Sequence, residues 1–287
     1  MGLLSPEFLL RLGRLTIGTR RRTAGVQVGE RRSIRRGSSQ EFADHRPYVP
    51  GDDLRFLDWH LYGRLDSLWI RLFEEEQDRV VQLLLDCSGS MEGEKLDQAR
   101  KAAAALAVVA LGRQDRVVVG ALDNAVQVHT PPRRGRESTA GTFRTIEQIH
   151  PGGTTDLVKA IEAMPRHRGA GLALLFTDFM YPEGAEAPLR RLLARGMEVH
   201  AFHVVSPAEL SPPIDGDLLV IDRETGEEVM VTMDDSARRK FETAAKAWLE
   251  DVERVCSRLG VGYVRLSTGV PVEDVVLHDL RRLGLLQ

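Results

Sequence analysis

The chain has 287 residues, enough for one large α/β domain with a smaller appendage or for two modest domains. Its composition is that of an ordinary globular protein, and a formal net charge of −3 excludes a strong overall attraction to nucleic acid or anionic membranes. Two cysteines, Cys87 and Cys256, exclude a disulfide framework and a cysteine metal cluster.

Residues 1–79 are predicted to form a small, partly β N-terminal appendage. A short amphipathic helix is predicted over 6–15 and a strand over 68–73. The stretch 11–36 contains nine arginines and one acid, and it is interpreted as a basic surface that pairs with acidic groups elsewhere. It lacks the interleaved aromatic residues of a nucleic-acid-binding arm, so no nucleic-acid partner is predicted.

Residues 80–287 alternate between strand and helix patterns. Strands are predicted at 80–85, 116–122, 125–129, 171–177, 198–204 and 262–266. Helices are predicted at 95–112, 141–150, 157–164, 184–195, 235–259 and 271–283, and a separate hairpin at 218–221 and 228–231. This alternation predicts an α/β fold, with a Rossmann-like, mostly parallel sheet and helices on both faces.

No segment is predicted to cross a membrane. Arg11 and Arg14 interrupt the only apolar stretch near the N-terminus, so no signal peptide is predicted. The longest apolar run, 102–111, is about half the length that spans a bilayer. We therefore expect a cytoplasmic protein.

Five oxygen-bearing side chains follow predicted central strands or precede a predicted helix. They are Asp86, Ser88, Ser90, Thr155 and Asp178. Ligands of such sheets bind beyond the carboxyl ends of the strands, so we expect these side chains to converge at one edge. Gly89 frees the backbone for a sharp bend between the serines. Thr154 is the second candidate for the threonine position.

An all-oxygen ligand set suits a hard divalent cation, namely Mg²⁺, with Mn²⁺ or Ca²⁺ as alternatives. The absence of imidazole and thiolate ligands argues against zinc and copper. Hydroxyl ligands are neutral, so we expect the metal to bind one more anionic oxygen, from an Asp or Glu of a protein partner. Each residue taken singly is also explained as a helix cap or a turn residue, but the combination favours a metal site.

The Asp-Cys-Ser-Gly-Ser sequence at 86–90, with Thr155 and Asp178, resembles the metal-ion-dependent adhesion site of von Willebrand factor A domains. This resemblance implies a fold of that type. It also implies that Ser88 and Ser90 contact the metal directly and Thr155 directly or through water. Asp86 and Asp178 would act largely through water.

The upstream segment resembles the bacterial family catalogued as domain of unknown function 58. The resemblance rests on residues 37–44, 46–55, 58–59, 64, 69–71, 74–76 and 280–284, and it runs over nearly the whole chain. Members of this family accompany MoxR-type AAA+ ATPases, so the resemblance implies such an ATPase as a partner. Many relatives have N-terminal membrane helices, which this sequence is not predicted to have.

The charged residues of the upstream motif are predicted to pair with one another within the appendage. They are Asp52, Asp53, Arg55 and Asp58. A structural role is the first interpretation, and a role in partner binding is the alternative.

Enzyme motifs are missing at the positions where they would be needed. Ser88 stands where an Asp-x-Asp phosphatase has its second carboxylate, and Gly93 where a cysteine phosphatase has its arginine. His200 and His203 lie three apart on a strand, so they face opposite sides and cannot chelate together.

The sequence therefore predicts a non-enzymatic, metal-dependent adaptor in protein assembly or maturation. It would dock a client or a MoxR-type AAA+ ATPase through its metal site. A metal-dependent hydrolase is the alternative, since an open metal position also activates water.

Overall fold

The computed structural model describes residues 2–18, 41–74, 79–167, 171–181, 184–212, 216–224 and 226–287. The chain divides into two units, a larger one of Met1–Arg22 with Asp78–Gln287 and a smaller one of Thr23–Gln77. The predicted basic surface at 11–36 lies outside the described residues from position 19 onward, as do residues 37–40, 75 and 76 of the upstream motif.

The strands are β1 (Glu41–Pro47), β2 (Trp69–Glu74), β3 (Val80–Asp86), β4 (Arg116–Leu122), β5 (Val126–His129), β6 (Gly171–Thr177), β7 (Met197–Val205), β8 (Gly216–Ile221), β9 (Glu228–Met233) and β10 (Gly262–Ser267). The helices are α1 (Pro6–Leu12), α2 (Trp59–Leu65), α3 (Glu94–Gly112), α4 (Thr139–Glu147), α5 (Leu157–Ala163), α6 (Glu186–Ala194), α7 (Pro207–Leu210), α8 (Asp235–Leu259), α9 (Val272–Asp274) and α10 (Leu280–Arg282).

A six-stranded sheet in the order β10-β7-β6-β3-β4-β5 forms the centre of the larger unit. All neighbouring strands are parallel except β5, which pairs antiparallel with β4 at one edge. From β3 the chain first builds outward through β4 and β5, and then returns to the other side of β3 and builds outward through β6, β7 and β10. The prediction of a mostly parallel sheet is confirmed.

β3 is buried along its whole length because helices cover both faces of the sheet. Leu83 and Leu85 pack into an apolar cluster that includes residues of α1, α3 and α4. Leu84 points the other way, into a cluster with residues of α5, α6 and α8. The near-continuous apolar sequence of β3 is the pattern expected of such a two-sided burial.

Two predicted C-terminal helices have different outcomes. The predicted bounds of α8, 235–259, are confirmed: Asp234 caps its start by accepting a hydrogen bond from the Ala237 amide, and Gly260 ends it at φ +69°. The helix predicted over 271–283 is instead three consecutive segments, because a π-helical turn at Val275–Asp279 separates α9 from α10. None of the described helices has both the length and the apolar composition needed to cross a bilayer.

The first residues of the chain belong to the larger unit, which differs from the predicted appendage of 1–79. Phe8 and Leu12 on α1 are buried in the same apolar cluster as α3. Ile17 forms an antiparallel bridge with Leu286, and the backbone amide of Thr16 donates to the carbonyl of Gln287. These long-range contacts leave no local signal in the sequence.

The smaller unit contains β1 and β2, paired antiparallel, and the helix α2 between them. The prediction of a strand near 68–73 is confirmed, while α2 was not predicted. Asp58 caps α2 by accepting hydrogen bonds from the amides of His60 and Leu61, and Asp66 ends it in a left-handed conformation at φ 50°.

Candidate metal centre

Asp86 and Asp178 lie at the carboxyl ends of two neighbouring central strands. Asp86 is the last residue of β3, and Asp178 comes directly after β6. The two strands are in parallel register, with Leu85 opposite Phe176. The connection that leaves β3 runs to one side of the sheet, and the connection that leaves β6 runs to the other side. Ligands of open α/β sheets bind in the crevice at such a point.

Asp86 is completely buried, with a solvent exposure of 0%. One carboxylate oxygen accepts a hydrogen bond from the Ser88 amide at 3.0 Å, and the other accepts one from the Thr177 hydroxyl at 2.6 Å. Burial, and then the negative charge of Asp178, raise the pKa of Asp86 well above its usual range. No Lys, Arg or His forms an ion pair with Asp86 in the part of the chain that the structure describes.

The two serine hydroxyls of the 86–90 loop lie side by side. The oxygens of Ser88 and Ser90 are 3.1 Å apart, and Ser88 is fully buried. Backbone hydrogen bonds tie this loop to the segment before α5: the Gly89 amide donates to the Gly153 carbonyl at 3.1 Å, and the Gly152 amide donates to the Cys87 carbonyl at 2.8 Å. These bonds bring the predicted serine and threonine ligands to the same edge of the sheet.

Thr155 is bonded by both its amide and its hydroxyl to one carboxylate. The hydroxyl donates to Oε1 of Glu224 at 2.6 Å, and the amide donates to Oε2 at 2.9 Å. Thr154 is exposed, and its hydroxyl accepts a hydrogen bond from the Asn124 amide group at 3.4 Å. The side chain of Thr155, rather than that of Thr154, therefore faces a charged group at this edge.

Asp178 is held by contacts that the sequence did not predict. Lys95, from the first turn of α3, donates to its Oδ2 at 2.7 Å and also bonds to Glu209. The Met180 amide donates to the other oxygen at 3.0 Å. Burial alone would lower the pKa of Lys95, but the charges and hydrogen bonds of Asp178 and Glu209 outweigh it and raise that pKa.

All the predicted ligand residues thus lie at one edge of the sheet, and three further residues join them there. Lys95, Thr177 and Glu224 were missed by sequence reasoning, because their partners are 69 to 91 positions away along the chain. The side chains predicted as ligands offer only oxygen atoms. No group of three or more His, Cys, Asp or Glu that could hold a metal occurs among the described residues.

The charged residues of the upstream motif pair within the smaller unit, as the first interpretation expected. Arg46 bonds to both oxygens of Asp52 at 2.6 Å. Hydrogen bonds from Arg46 and from the Val49 amide lower the pKa of Asp52 to about 2. Asp53 pairs with Arg55. These contacts give the motif a structural role.

His200 and His203 do not meet, which confirms the prediction that they cannot chelate together. A ring nitrogen of His200 lies 3.3 Å from the Glu198 carboxylate. The two ring nitrogens of His203 lie 3.0 Å from the Tyr263 hydroxyl and 3.1 Å from the Asp178 carbonyl. Neither of these two rings forms a hydrogen bond with a side-chain carboxylate of the candidate centre.

The fold can be compared with solved structures. The chain is similar to the conserved hypothetical protein BatB from Bacteroides thetaiotaomicron, with 17% identity and a TM-score of 0.42, over 71% of this chain and 98% of that chain. It is also similar to an aerotolerance-related membrane protein from Bacteroides fragilis, with 16% identity and a TM-score of 0.42, over 72% of this chain and 98% of that chain.

Relatives in sequence are found among mycobacteria. Uncharacterized proteins of Mycobacterium tuberculosis and Mycobacterium bovis are each 30% identical to this chain over 272 residues, which is 92% of this chain and 86% of the relative. The family model described as "Protein of unknown function DUF58" matches residues 44–250. The chain belongs to the DUF58 family.

Proposed function

We propose that the chain binds a divalent metal ion at Asp86, Ser88, Ser90, Thr155 and Asp178, and uses this ion to dock an acidic side chain of a protein partner. The main support for the proposal is the environment of the Asp86 carboxyl group. It is a fully buried carboxyl group whose hydrogen-bond donors are neutral and which has no ion pair within the described residues. A buried carboxylate needs a nearby cation or must take up a proton. A metal ion beside Ser88 would supply that cation.

The serine geometry supports an octahedral ion. Mg²⁺ binds oxygen at 2.0–2.1 Å, so two adjacent ligands of an octahedron lie about 3 Å apart. The separation of the Ser88 and Ser90 hydroxyl oxygens is 3.1 Å. Both hydroxyls therefore fit neighbouring positions around one ion, and Mn²⁺ satisfies the same oxygen donors.

The fold at the site also supports the proposal. In the strand order β10-β7-β6-β3-β4-β5 the direction of the connections changes between β3 and β6, and four of the five proposed ligand residues lie at the ends of these two strands or directly after them. This arrangement is the one expected of a von Willebrand factor A-type domain, which the 86–90 motif resembles. We therefore include that fold type and its adhesion-site chemistry in the proposal.

The chemistry of the ligand set indicates binding rather than turnover. When bound, the metal supplies positive charge and an open position for a carboxylate. Of the two aspartates, Asp178 already shares its charge with Lys95, and the remaining ligands are neutral hydroxyls. The ion would keep a net positive charge, which an Asp or Glu of a partner neutralises. The family resemblance suggests a MoxR-type AAA+ ATPase, or a client of it, as that partner.

Metal binding is tested by titration calorimetry of Mg²⁺ and Mn²⁺ into the full chain. We expect saturable uptake by the wild type and its loss in Asp86→Asn and Ser88→Ala. Asp97→Asn, an exposed acid on α3, is the matched control and should bind as the wild type does. At a free-metal concentration of 100 times Kd, the ion should stabilise the wild type by about 2.7 kcal/mol in urea unfolding. Absence of uptake by the folded wild type would refute the proposal.

Partner binding is tested with a purified MoxR-type AAA+ ATPase. We expect binding in Mg²⁺ that is lost in chelator and in Asp86→Asn, while Asp97→Asn binds normally. Binding that persists unchanged in chelator would contradict a metal-mediated contact. Hydrolysis of p-nitrophenyl phosphate that is lost in the same variants would favour the hydrolase instead.

A further inference from the structure

The tip of the β8–β9 hairpin lies against the candidate metal centre. Glu224, in this tip, accepts hydrogen bonds from the hydroxyl and the amide of Thr155 at 2.6 and 2.9 Å. The backbone carbonyl of Arg223 lies so close to Gly89 that a Cβ atom added there would be 2.9 Å from it. The side chain of Arg223 also pairs with Glu92 at 3.2 Å. The hairpin tip thus contacts both loops that carry the proposed hydroxyl ligands.

The carboxylate of Glu224 is the chemical group that the proposed function expects from outside. A partner would present an Asp or Glu to a metal held by Ser88, Ser90 and Thr155. Glu224 already places such a group against the Thr155 hydroxyl, and it is half-buried there. Both hydrogen bonds that Glu224 accepts come from the neutral Thr155, and no ion pair with Glu224 occurs among the described residues. This carboxylate is therefore charge-uncompensated and lies beside the proposed cation site.

We propose that Glu224 is an internal ligand of the centre, and that a partner's carboxylate binds only after the hairpin tip has been displaced. This inference rests on the proposed function, because it presupposes the metal. It adds an acidic ligand from the chain itself to the five predicted side chains. It also makes the docking site closed in the absence of a partner.

Displacement of the hairpin tip from the centre should cost little free energy. Most residues of β8 and β9 are exposed, and Met233, at the base, is the buried one. The cross-strand neighbours Leu219 and Met230 are 51% and 69% exposed. Little apolar surface therefore returns to water when the tip moves, and the exposed pair between Arg223 and Glu92 contributes little. Glu224 attaches the tip to the candidate centre through the two hydrogen bonds that it accepts from Thr155.

The test uses Mn²⁺ bound to the full chain, with the number of metal-bound waters measured by proton relaxation. In Glu224→Gln we expect one more bound water than in the wild type, because water replaces the carboxylate. Backbone amides of the tip, at 222–224 and 226–227, should also exchange with deuterium faster in this variant. Glu228→Gln changes an exposed acid on the same hairpin, and it should match the wild type in both measurements.

A second probe is acetate, the smallest stand-in for a partner's carboxylate. If Glu224 competes for the open position, acetate should displace Mn²⁺-bound water from Glu224→Gln at a concentration about 5- to 150-fold lower than from the wild type. Equal water counts, equal amide exchange and equal acetate responses would overturn the inference while leaving the metal site intact. Failure of the wild type to bind Mn²⁺ would instead overturn the proposed function, and the inference with it.

Discussion

The ammonium group of Lys95 lies 2.7 Å from a carboxylate oxygen of Asp178, and both side chains are shielded from solvent, with exposures of 8% and 1%. Lys95 also bonds to Glu209, whose other oxygen accepts the Ser206 amide in the capping box of α7. A single lysine therefore connects α3, the end of β6 and the start of α7. This network fixes the position of one of the two aspartates in the candidate metal centre.

Replacing Lys95 by methionine should destabilise the protein strongly. The change keeps the length of the side chain but leaves Asp178 buried without its cation, and breaking a buried pair in this way costs about 3–5 kcal/mol. The measurement is urea unfolding at neutral pH. Lys101→Met, on an exposed position of the same helix, is the matched control and should have little effect. An unchanged urea midpoint for Lys95→Met would contradict the prediction.

Replacing Gln82 by methionine should stabilise the protein. Gln82 is fully buried in β3, opposite Val118 on β4 and Ala173 on β6. Neither polar atom of its side chain has a hydrogen-bond partner among the described residues. Removing an unsatisfied buried amide at nearly constant volume should raise the free energy of unfolding by about 1–3 kcal/mol. Thermal and urea unfolding test this, with the exposed Gln148→Met as the control, and a loss of stability would refute it.

Replacing Gly89 by alanine should push the hairpin tip away from the centre. The added Cβ atom would lie 2.9 Å from the Arg223 carbonyl oxygen, which is backbone and cannot rotate aside. An overpacking cost of about 1–3 kcal/mol corresponds to amide exchange at the tip that is about 5- to 150-fold faster. At Gly152 the added atom would meet nothing within 4 Å, so Gly152→Ala is the matched control. Equal exchange in both variants would argue against a close contact at Gly89.

Stability should fall in mild acid because of a stacked histidine pair. The rings of His129 and His167 are 5.3 Å apart. Burial, followed by His167 and Arg195, lowers the pKa of His129, and burial followed by Arg195 lowers that of His167. The unfolded chain, with a pKa of about 6.5, then takes up protons that the folded chain does not. The stabilisation that the two histidines give is therefore fully present above a pH of about 6.5, and it is lost as the pH falls below the pKa of the unfolded chain.

The check on the histidine pair is urea unfolding between pH 7.5 and pH 5. The double variant with His129→Gln and His167→Gln should lose less stability over this range than the wild type. His278→Gln, on an exposed position, should follow the wild-type curve. A double variant with the full wild-type pH dependence would show that other groups cause it.

Elements with a strong local pattern were predictable from the sequence. The apolar run of β3 predicts a buried strand. A polar N-cap residue and a C-terminal glycine predict the two ends of α8. The helix α2 was missed because Trp59, Tyr62 and Gly63 do not favour a helix, and its start depends on the cap from Asp58. α1 belongs to the larger unit through its packing against α3, a long-range contact that the local sequence does not indicate.

The candidate site was predictable where the topology of the sheet dictates it. Residues that follow parallel strands must meet at one edge, so Asp86 and Asp178 could be paired in advance. Lys95 and Glu224 come from a helix and a hairpin whose approach to that edge depends on tertiary packing. Neither lies in a motif, and a lone Lys or Glu in a charged chain carries no signal of its own.

The bridge between Ile17 and Leu286 has a consequence for biosynthesis. A nascent chain emerges from the ribosome in order, so the segment around Ile17 is exposed long before its partner exists. Its hydrogen bonds with Leu285 and Gln287 can form only after those residues have been synthesised and have left the ribosome. The larger unit therefore reaches its final form as a late step, in which the segment around Ile17 pairs with the segment around Leu286.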